Sequence, residues 1–552
     1  MQTPSTGLPS LDAGVAQVVP RLQSWSVGAK AATDAEHRTT FLGGCRLYPK
    51  AIAWSVIVSF VIIMDGYDKA LVNFFFAFPV FRQSYGHPVN PDAPLDQRVY
   101  QISSAWQAAL INASLVGELI GLFGNGFLTD RIGYRRTTIA ALLWLCGSVF
   151  LAFFAVNIQM LLAAQILCGI PWGIFQTLAA TYAADIMPVT LRAPILANIN
   201  MFWWVGQLIA LAVLRGFIGN STRWSYRVPF ALQWAFALTI LSGIIFAPES
   251  PWWLIQHEKP EKARESILRL TKWNKDNIRV NETIAMMKHT NEMEKYMSNG
   301  RKSYLKCFTG TDLRRTEIAC LVWLSQAFSG GGLTAYVAYF NEQVGLSVPN
   351  AFNLAMGMSS LGILGCIISW FLLPSIGRRR LYVSGLLATF IILIVGGIVS
   401  LLVRSSAQAW VLGSAVLLFT LTYNVTIGPV CYVLVAEVPS TRLRIKTLVL
   451  ARVAYNVSLL LINTITTKML NPTAWDWKGK TCFFFIGTNL LCIVWCYFRL
   501  PETFGLSYLE IDILFERKAK RGKFRTLQSN LENAGYFNLS RDDGQPNIWI
   551  GY

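Results

Sequence analysis

Twelve apolar stretches, each long enough to cross a bilayer, govern what this chain can fold into. They lie near 51–76, 104–128, 137–157, 159–187, 195–215 and 229–247, and again near 317–341, 351–373, 381–403, 408–436, 447–470 and 481–499. About 20 helical residues span the hydrocarbon core, so each stretch reads as one crossing. Only 14% of the 552 residues are Asp, Glu, Lys or Arg, against about 25% in a globular protein, too few to cover a soluble surface of this size. The pattern predicts an all-α membrane protein. The ten cysteines are scattered, mostly inside apolar stretches, with no CxxC pair or His cluster. Neither a disulfide scaffold nor a metal site is expected, and no cofactor is implied. No nucleophile–base set suggests an enzyme. Residues 1–45 are polar and lack the short apolar core of a signal peptide.

The net charge is +18, yet no Lys/Arg-rich domain stands clear of the apolar stretches, so nucleic acid is not an expected partner. Basic residues follow span two (Arg131, Arg135, Arg136), span eight (Arg378, Arg379, Arg380) and span ten (Arg442, Arg444, Lys446). They also crowd the final tail, from Arg517 to Arg525. By the positive-inside rule these segments, and both termini, are expected to be cytoplasmic, facing anionic lipid. Residues 1–50 then form a cytoplasmic segment, 51–247 a first six-helix half, 248–316 a polar helical linker, 317–500 a second half and 501–552 a cytoplasmic tail. The sequon Asn220-Ser221-Thr222 falls in an outside loop and marks Asn220 as a candidate glycan site close to the membrane.

An internal repeat relates the halves. Ile132-Gly-Tyr-Arg-Arg136 recurs as Ile376-Gly-Arg-Arg-Arg380, Asp185…Pro188…Arg192 as Glu437…Pro439…Arg444, and Pro248-Glu-Ser250 as Pro501-Glu-Thr503. The separations are 244, 252 and 253 residues, in the same order. Two pseudo-symmetric six-helix halves with a central site are the architecture of alternating-access carriers.

These residues also carry a family resemblance. Asp130-Arg-Ile-Gly-Tyr-Arg-Arg136, Pro248-Glu-Ser-Pro-Trp-Trp-Leu254 and Pro501-Glu-Thr-Phe-Gly505 resemble the sugar-porter signatures of the major facilitator superfamily. Met64-Asp-Gly-Tyr-Asp68, Cys168-Gly-Ile-Pro-Trp-Gly173 and Leu450-Ala-Arg-Val-Ala-Tyr-Asn456 resemble the fungal α-glucoside (maltose) permeases. The resemblance runs from about residue 45 to 517 and implies the major facilitator fold and proton symport of a sugar.

Three groups of site residues follow. Asp130, Arg131, Arg135, Arg136, Asp185, Arg192 and Glu249, with Arg378, Arg379, Glu437, Arg444 and Glu502 in the other half, either anchor loops at the headgroups or form a cytoplasmic gate of carboxylate–arginine pairs. The resemblance favours the gate. Pro374 stands where the first half has Asp130, which predicts a weaker second latch. Asp65 and Asp68 in span one, Glu118 in span two and Arg452 in span eleven are charges within the membrane, which are costly and so functional candidates; they are assigned to proton coupling. Sugar porters often place an arginine on span four, where this chain has Gln165, so Arg452 is expected to be the carboxylates' counter-charge.

Sugar recognition needs amides for hydroxyls and aromatic rings for C–H faces. Gln165, Asn200, Gln207, Gln326, Tyr336, Tyr432, Tyr455 and Asn456 are the candidates, with helix–helix bonding the alternative for each. Relative to the family, Ser325 and Gly331 replace larger side chains and widen the cavity for a disaccharide, leaving room for other metabolites. Pro171 and Pro429 are expected to interrupt backbone bonding in their spans, which is tolerated where a cavity or neighbour supplies partners. The expected function is proton-coupled plasma-membrane uptake of an α-glucoside such as maltose or trehalose by a monomer. A facilitative carrier of a hexose or secondary metabolite, or a non-transporting sugar sensor, are the rivals.

Overall fold

A computed structural model describes residues 41–503 except 90–91, 93–97, 274–277, 299–303, 374, 403–405 and 441–442, together with positions 28, 32, 511, 514 and 515. Most of the N-terminal segment, most of the tail, Pro374 and Arg442 therefore lie outside the described residues. So do the side chains of Arg192 and Arg444.

Among the described residues, twelve helices are long and apolar enough to cross a membrane. Spans one to six are Pro49–Phe75, Ser104–Ile132, Tyr134–Phe153, Ile158–Ile186, Asn198–Phe217 and Trp224–Ile244. Spans seven to twelve are Gly310–Ala335, Val348–Leu372, Arg378–Val399, Ala407–Glu437, Lys446–Leu470 and Lys478–Arg499. Large apolar side chains such as Phe127, Phe246, Phe371, Leu491 and Phe498 are exposed on the bundle surface. In water such a surface would drive aggregation; in lipid it is the natural solvent face. Between spans six and seven, the helices Pro251–Gln256, Pro260–Leu270 and Ile278–Ser298 share a small core of Leu254, Ile267, Val280 and Met287. The one departure from all-α structure among the described residues is a two-stranded ladder, His87–Pro88 against Tyr100–Gln101, between spans one and two.

Local chemistry sets the helix ends. Asn157 caps span four by accepting the Met160 N–H at 2.8 Å, and Ser250 caps the helix after span six by accepting from Trp253. Span three starts at Gly133, whose φ of +89° is left-handed territory that suits glycine. Its first N–H groups, on Tyr134 and Arg135, donate to the Glu249 carboxylate at 2.8 and 3.3 Å, a negative charge on a helix N-terminus.

Span four runs through Pro171 as one helix, with its backbone bonding interrupted there. The proline deprives the Leu167 carbonyl of its helical donor, and the Trp144 indole N–H supplies a replacement at 3.0 Å. The breaks fall in the second half. Span seven widens to a π-turn over Ala327–Gly331, with Gly330 at φ +124°. Span ten breaks at Thr426, and Pro429 sits in the first turn of the helix that resumes at Ile427.

Spans two and four cross through a glycine seam. A Cβ on Gly117 or Gly121 would strike the backbone of Ile166 or Ile170, and one on Gly169 or Gly173 would strike that of Ser114 or Glu118. Small residues four apart let backbones touch in lipid. This contact brings Glu118 to the face of span four that carries Gln176.

Candidate functional site

The end of the bundle that carries the Gly133 and Gly377 motifs is called the motif end below, and the opposite end the far end. Between the first six spans and the last six lies a cavity of about 290 Å³. It begins near Asn73 and Asn463 and continues to Thr181, Leu448 and the exposed Gly126 towards the motif end.

The far end is closed by bonds between the two sets of spans. Arg82, on the short helix Pro79–Tyr85, pairs with Glu342 at 2.7 Å, both largely buried. Asn112 donates to Thr464 Oγ1 at 2.8 Å, and Asn471 to the Ile102 carbonyl at 3.1 Å. Burial pushes the Glu342 carboxyl above its ordinary value, with Arg82 pulling the other way.

The cavity wall holds a chain of charges. Lys69 Nζ lies 3.3 Å from Asp65 and 2.8 Å from Glu118. Gln176 Nε2 donates to both carboxylates at 3.2 Å, and Asn456 adds a donor to Glu118 at 3.1 Å. On the other side of Gln176, its Oε1 accepts from Arg452 Nε at 2.9 Å and Nη2 at 2.7 Å. The guanidinium rests on the rings of Trp323 and Tyr455, 4.7 and 4.9 Å from their centroids. The direct counter-charge of Asp65 and Glu118 is therefore Lys69, and Arg452 reaches them only through Gln176. The Arg452 fork is spent on the Gln176 amide oxygen.

Asp68 is not with them. Three residues along span one, it turns behind the cavity wall, where Trp172 Nε1 donates at 2.9 Å and Gln233 Nε2 at 2.7 Å. Its two partners are neutral.

Gln165, Asn200, Gln207, Gln326, Tyr432 and Tyr455 all line the cavity. Gln165 Nε2 is buried and unbonded, and Gln326 donates to the Gly428 carbonyl, in the first turn of the resumed helix of span ten, at 3.3 Å. Asn200 is engaged with Asn424 at 3.1 Å, as is Trp204 at 2.7 Å. Two candidates are displaced. Tyr336 is fully buried and aims its hydroxyl at the Asn463 carbonyl, and Asn456 is buried against Glu118 rather than on the cavity. Gly331 does line the cavity, but Ser325 bonds back to Leu321 on its own helix and widens nothing.

At the motif end the repeat is one of contacts as well as of letters. Glu249 accepts the N–H groups opening span three, and Glu502 accepts the Arg379 N–H opening span nine at 3.4 Å. Asp185 accepts from the Ser250 hydroxyl at 2.7 Å, and Glu437 from that of Thr503 at 2.6 Å. These carboxylates bind helix N-termini and hydroxyls within their own set of six spans. Arg378 also meets Glu437, at 3.4 Å. Asp130 offers its carbonyl to the Trp253 indole at 3.3 Å, Arg131 stacks on Phe127, and Arg136 is exposed. Burial raises the Glu249 carboxyl, and the N–H donors partly offset it. Asn220 folds its side chain back on the Thr222 N–H at 2.9 Å, in the loop between spans five and six.

A family model described as "Sugar (and other) transporter" matches residues 54–515. The chain belongs to that family. Among its relatives, the general alpha-glucoside permease of Saccharomyces cerevisiae is 36% identical over 501 residues, covering 90% of this chain and 80% of the permease. The maltose permease MAL31 of the same organism is 37% identical over 506 residues, covering 90% and 81%. In fold, the proton:xylose symporter XylE bound to 6-bromo-6-deoxy-D-glucose matches with a TM-score of 0.69 at 20% identity, over 85% of this chain and 99% of XylE. A partially occluded inward-open XylE from E. coli gives 0.67 at 18%, over 83% and 99%. The fold is that of the major facilitator superfamily, and the protein is a transporter rather than an enzyme.

For this sugar transporter, sequence reasoning passed over Lys69, Gln176, Gln233, Trp172 and Asn424. Lys69 carried a usable signal, since it is a charge inside a span like the four that were singled out. Gln176, Gln233 and Asn424 are neutral amides whose importance lies in which neighbours they touch, and spacing does not reveal that.

Proposed function

We propose that the protein is a proton-coupled carrier of an α-glucoside such as maltose or trehalose, working by alternating access at a plasma membrane. The observation that carries the reading is the central cavity itself, closed at one end by bonds between the two sets of spans and continuing to the other. It carries free and bonded amides, aromatic rings and a buried ionic cluster on one wall. The motif end is assigned to the cytoplasm because the basic residues gather there, which makes this an inward-facing state with both termini cytoplasmic. Residues 51–247 and 317–500 act as the rocking units, and 248–316 as the tether between them. Relatives more than a third identical over nine-tenths of this chain are permeases of maltose and α-glucosides. Gln165, with its unbonded amide, Gln207 and Gln326 would hold sugar hydroxyls, and Tyr432, Tyr455 and Trp323 its apolar faces. Asp68, with only neutral donors around it, is the carboxylate suited to gain and lose the coupled proton.

The test is uptake of labelled sugars in a transporter-deficient yeast. Maltose or trehalose should accumulate against a gradient, and a protonophore should abolish accumulation. Asp68→Asn should lose accumulation yet keep downhill exchange, because an amide keeps the size but cannot titrate. Uptake of hexoses alone, unaffected by the protonophore, would replace this reading with a facilitative one.

A further inference from the structure

Two carboxylates and two cations share the ionic cluster: Asp65 and Glu118 against Lys69 and Arg452. The cluster is therefore neutral with no added proton. Lys69 touches both carboxylates directly, from the same helix as Asp65, one turn on. Its ammonium is mostly buried, with 17% of the side chain exposed. From the remaining packed elements the cluster meets Gln176 on span four, Trp323 on span seven, Tyr432 on span ten, and Asn456 and Tyr455 beside Arg452 on span eleven. Asp68 faces Trp172 and Cys168 on span four, Gln233 on span six and its own neighbour Tyr67, with no ion-pair partner among the described residues.

We infer that Lys69 is a built-in counter-ion that takes the place of a proton between Asp65 and Glu118, so that the coupled proton is confined to Asp68. Lys69 is thus a positioning residue that fixes how many protons travel with each sugar. The inference rests on the carrier reading above. Removing the ammonium leaves two carboxylates sharing one cation at one remove. Like charges so close cannot both ionise, so one would take a proton from water on the outside and return it inside.

The experiment compares wild type, Lys69→Met, Lys69→Arg and the double variant Asp65→Asn/Lys69→Met, reconstituted in vesicles. Maltose uptake and maltose-induced proton influx are measured together across pH, with counterflow as the check that each variant is folded. Lys69→Met should gain about one proton per sugar and lose transport at alkaline pH, where the added site empties. Lys69→Arg should keep the wild-type ratio. The double variant, again neutral without a proton, should return to that ratio even if the single variant fails to fold. An unchanged ratio and pH profile in Lys69→Met, or a double variant that loses coupling altogether, would overturn the inference. Wild type moving maltose without protons would instead sink the symport reading, and Lys69 would then be judged by whether Lys69→Met becomes proton-coupled.

Discussion

Gln176 is a neutral side chain placed among four charges, and its two ends do different work. Its amide nitrogen steadies Asp65 and Glu118 on the first set of spans, while its carbonyl oxygen holds Arg452 on the second. Hydrogen bonds to charged groups contribute about 1.5–3 kcal/mol each. Gln176→Leu should therefore cut the rate of transport roughly ten- to hundredfold at normal surface expression, measured as initial uptake. An unchanged rate would mean that the bridge between the two sets of spans is idle. Gln326 differs, because it faces the cavity and its bond to Gly428 is long. Gln326→Ala should raise the KM for sugar roughly two- to twelvefold, from a lost bond of about 0.5–1.5 kcal/mol, with little change in maximal rate. At this scale the sequence exposes charge but not direction. Asp65, Glu118 and Arg452 were visible because a charge in lipid is costly. That Asp68 points behind the wall, and that Tyr336 and Asn456 are packed away from the cavity, depends on helix rotation, which spacing alone does not determine.

Among elements, the helix N-terminus opening span three shows how a signature becomes a joint. Glu249 can cap span three only because Gly133 has no side chain: a Cβ there would lie 2.7 Å from the carboxylate. Its φ of +89° adds a conformational cost for any other residue. The equivalent Gly377 has an ordinary φ of −57°, so there only crowding by Glu502 opposes a side chain. Gly133→Ala should destabilise the protein by about 1–3 kcal/mol, and Gly377→Ala by less. Thermal unfolding of detergent-purified protein would read the difference, and equal losses would show that backbone conformation is not what selects glycine at 133. The spans and the repeat were legible because period, length and letters suffice for them. The breaks at Gly330 and Thr426 were not, since Pro171, the more conspicuous breaker, is accommodated by the Trp144 indole from a neighbouring helix. Such compensation is a tertiary fact.

At the scale of the whole molecule, an alternating-access carrier needs its far end to close firmly enough to hold and loosely enough to release. The pair Arg82–Glu342 joins the two sets of spans there at 2.7 Å and is largely buried, beside Gln107 and Tyr339. Opening the far end would separate the pair and expose both ions to water. Removing one partner leaves an uncompensated charge in the closed state alone, and breaking such a pair costs up to about 3–5 kcal/mol. Arg82→Ala should thus shift the protein towards the outward-open state. Glu342→Gln, which keeps an acceptor, should shift it less. Because burial raises the Glu342 carboxyl, it takes up a proton at a higher pH than an exposed glutamate would. Protonation cancels the attraction, so acid on that side should loosen the closure, and alkali should tighten it, in wild type but not in Glu342→Gln. The readout is a cysteine introduced at Asn73, near the far end of the cavity, reacting with a membrane-impermeant thiol reagent applied from outside. Its labelling should rise at least about tenfold in Arg82→Ala, the factor that 1.4 kcal/mol provides. It should fall back when the charges are exchanged as Arg82→Glu/Glu342→Arg. Equal labelling in all four proteins, at acid and neutral pH alike, would show that the far end is closed by its amide and aromatic contacts and that the ion pair is a bystander.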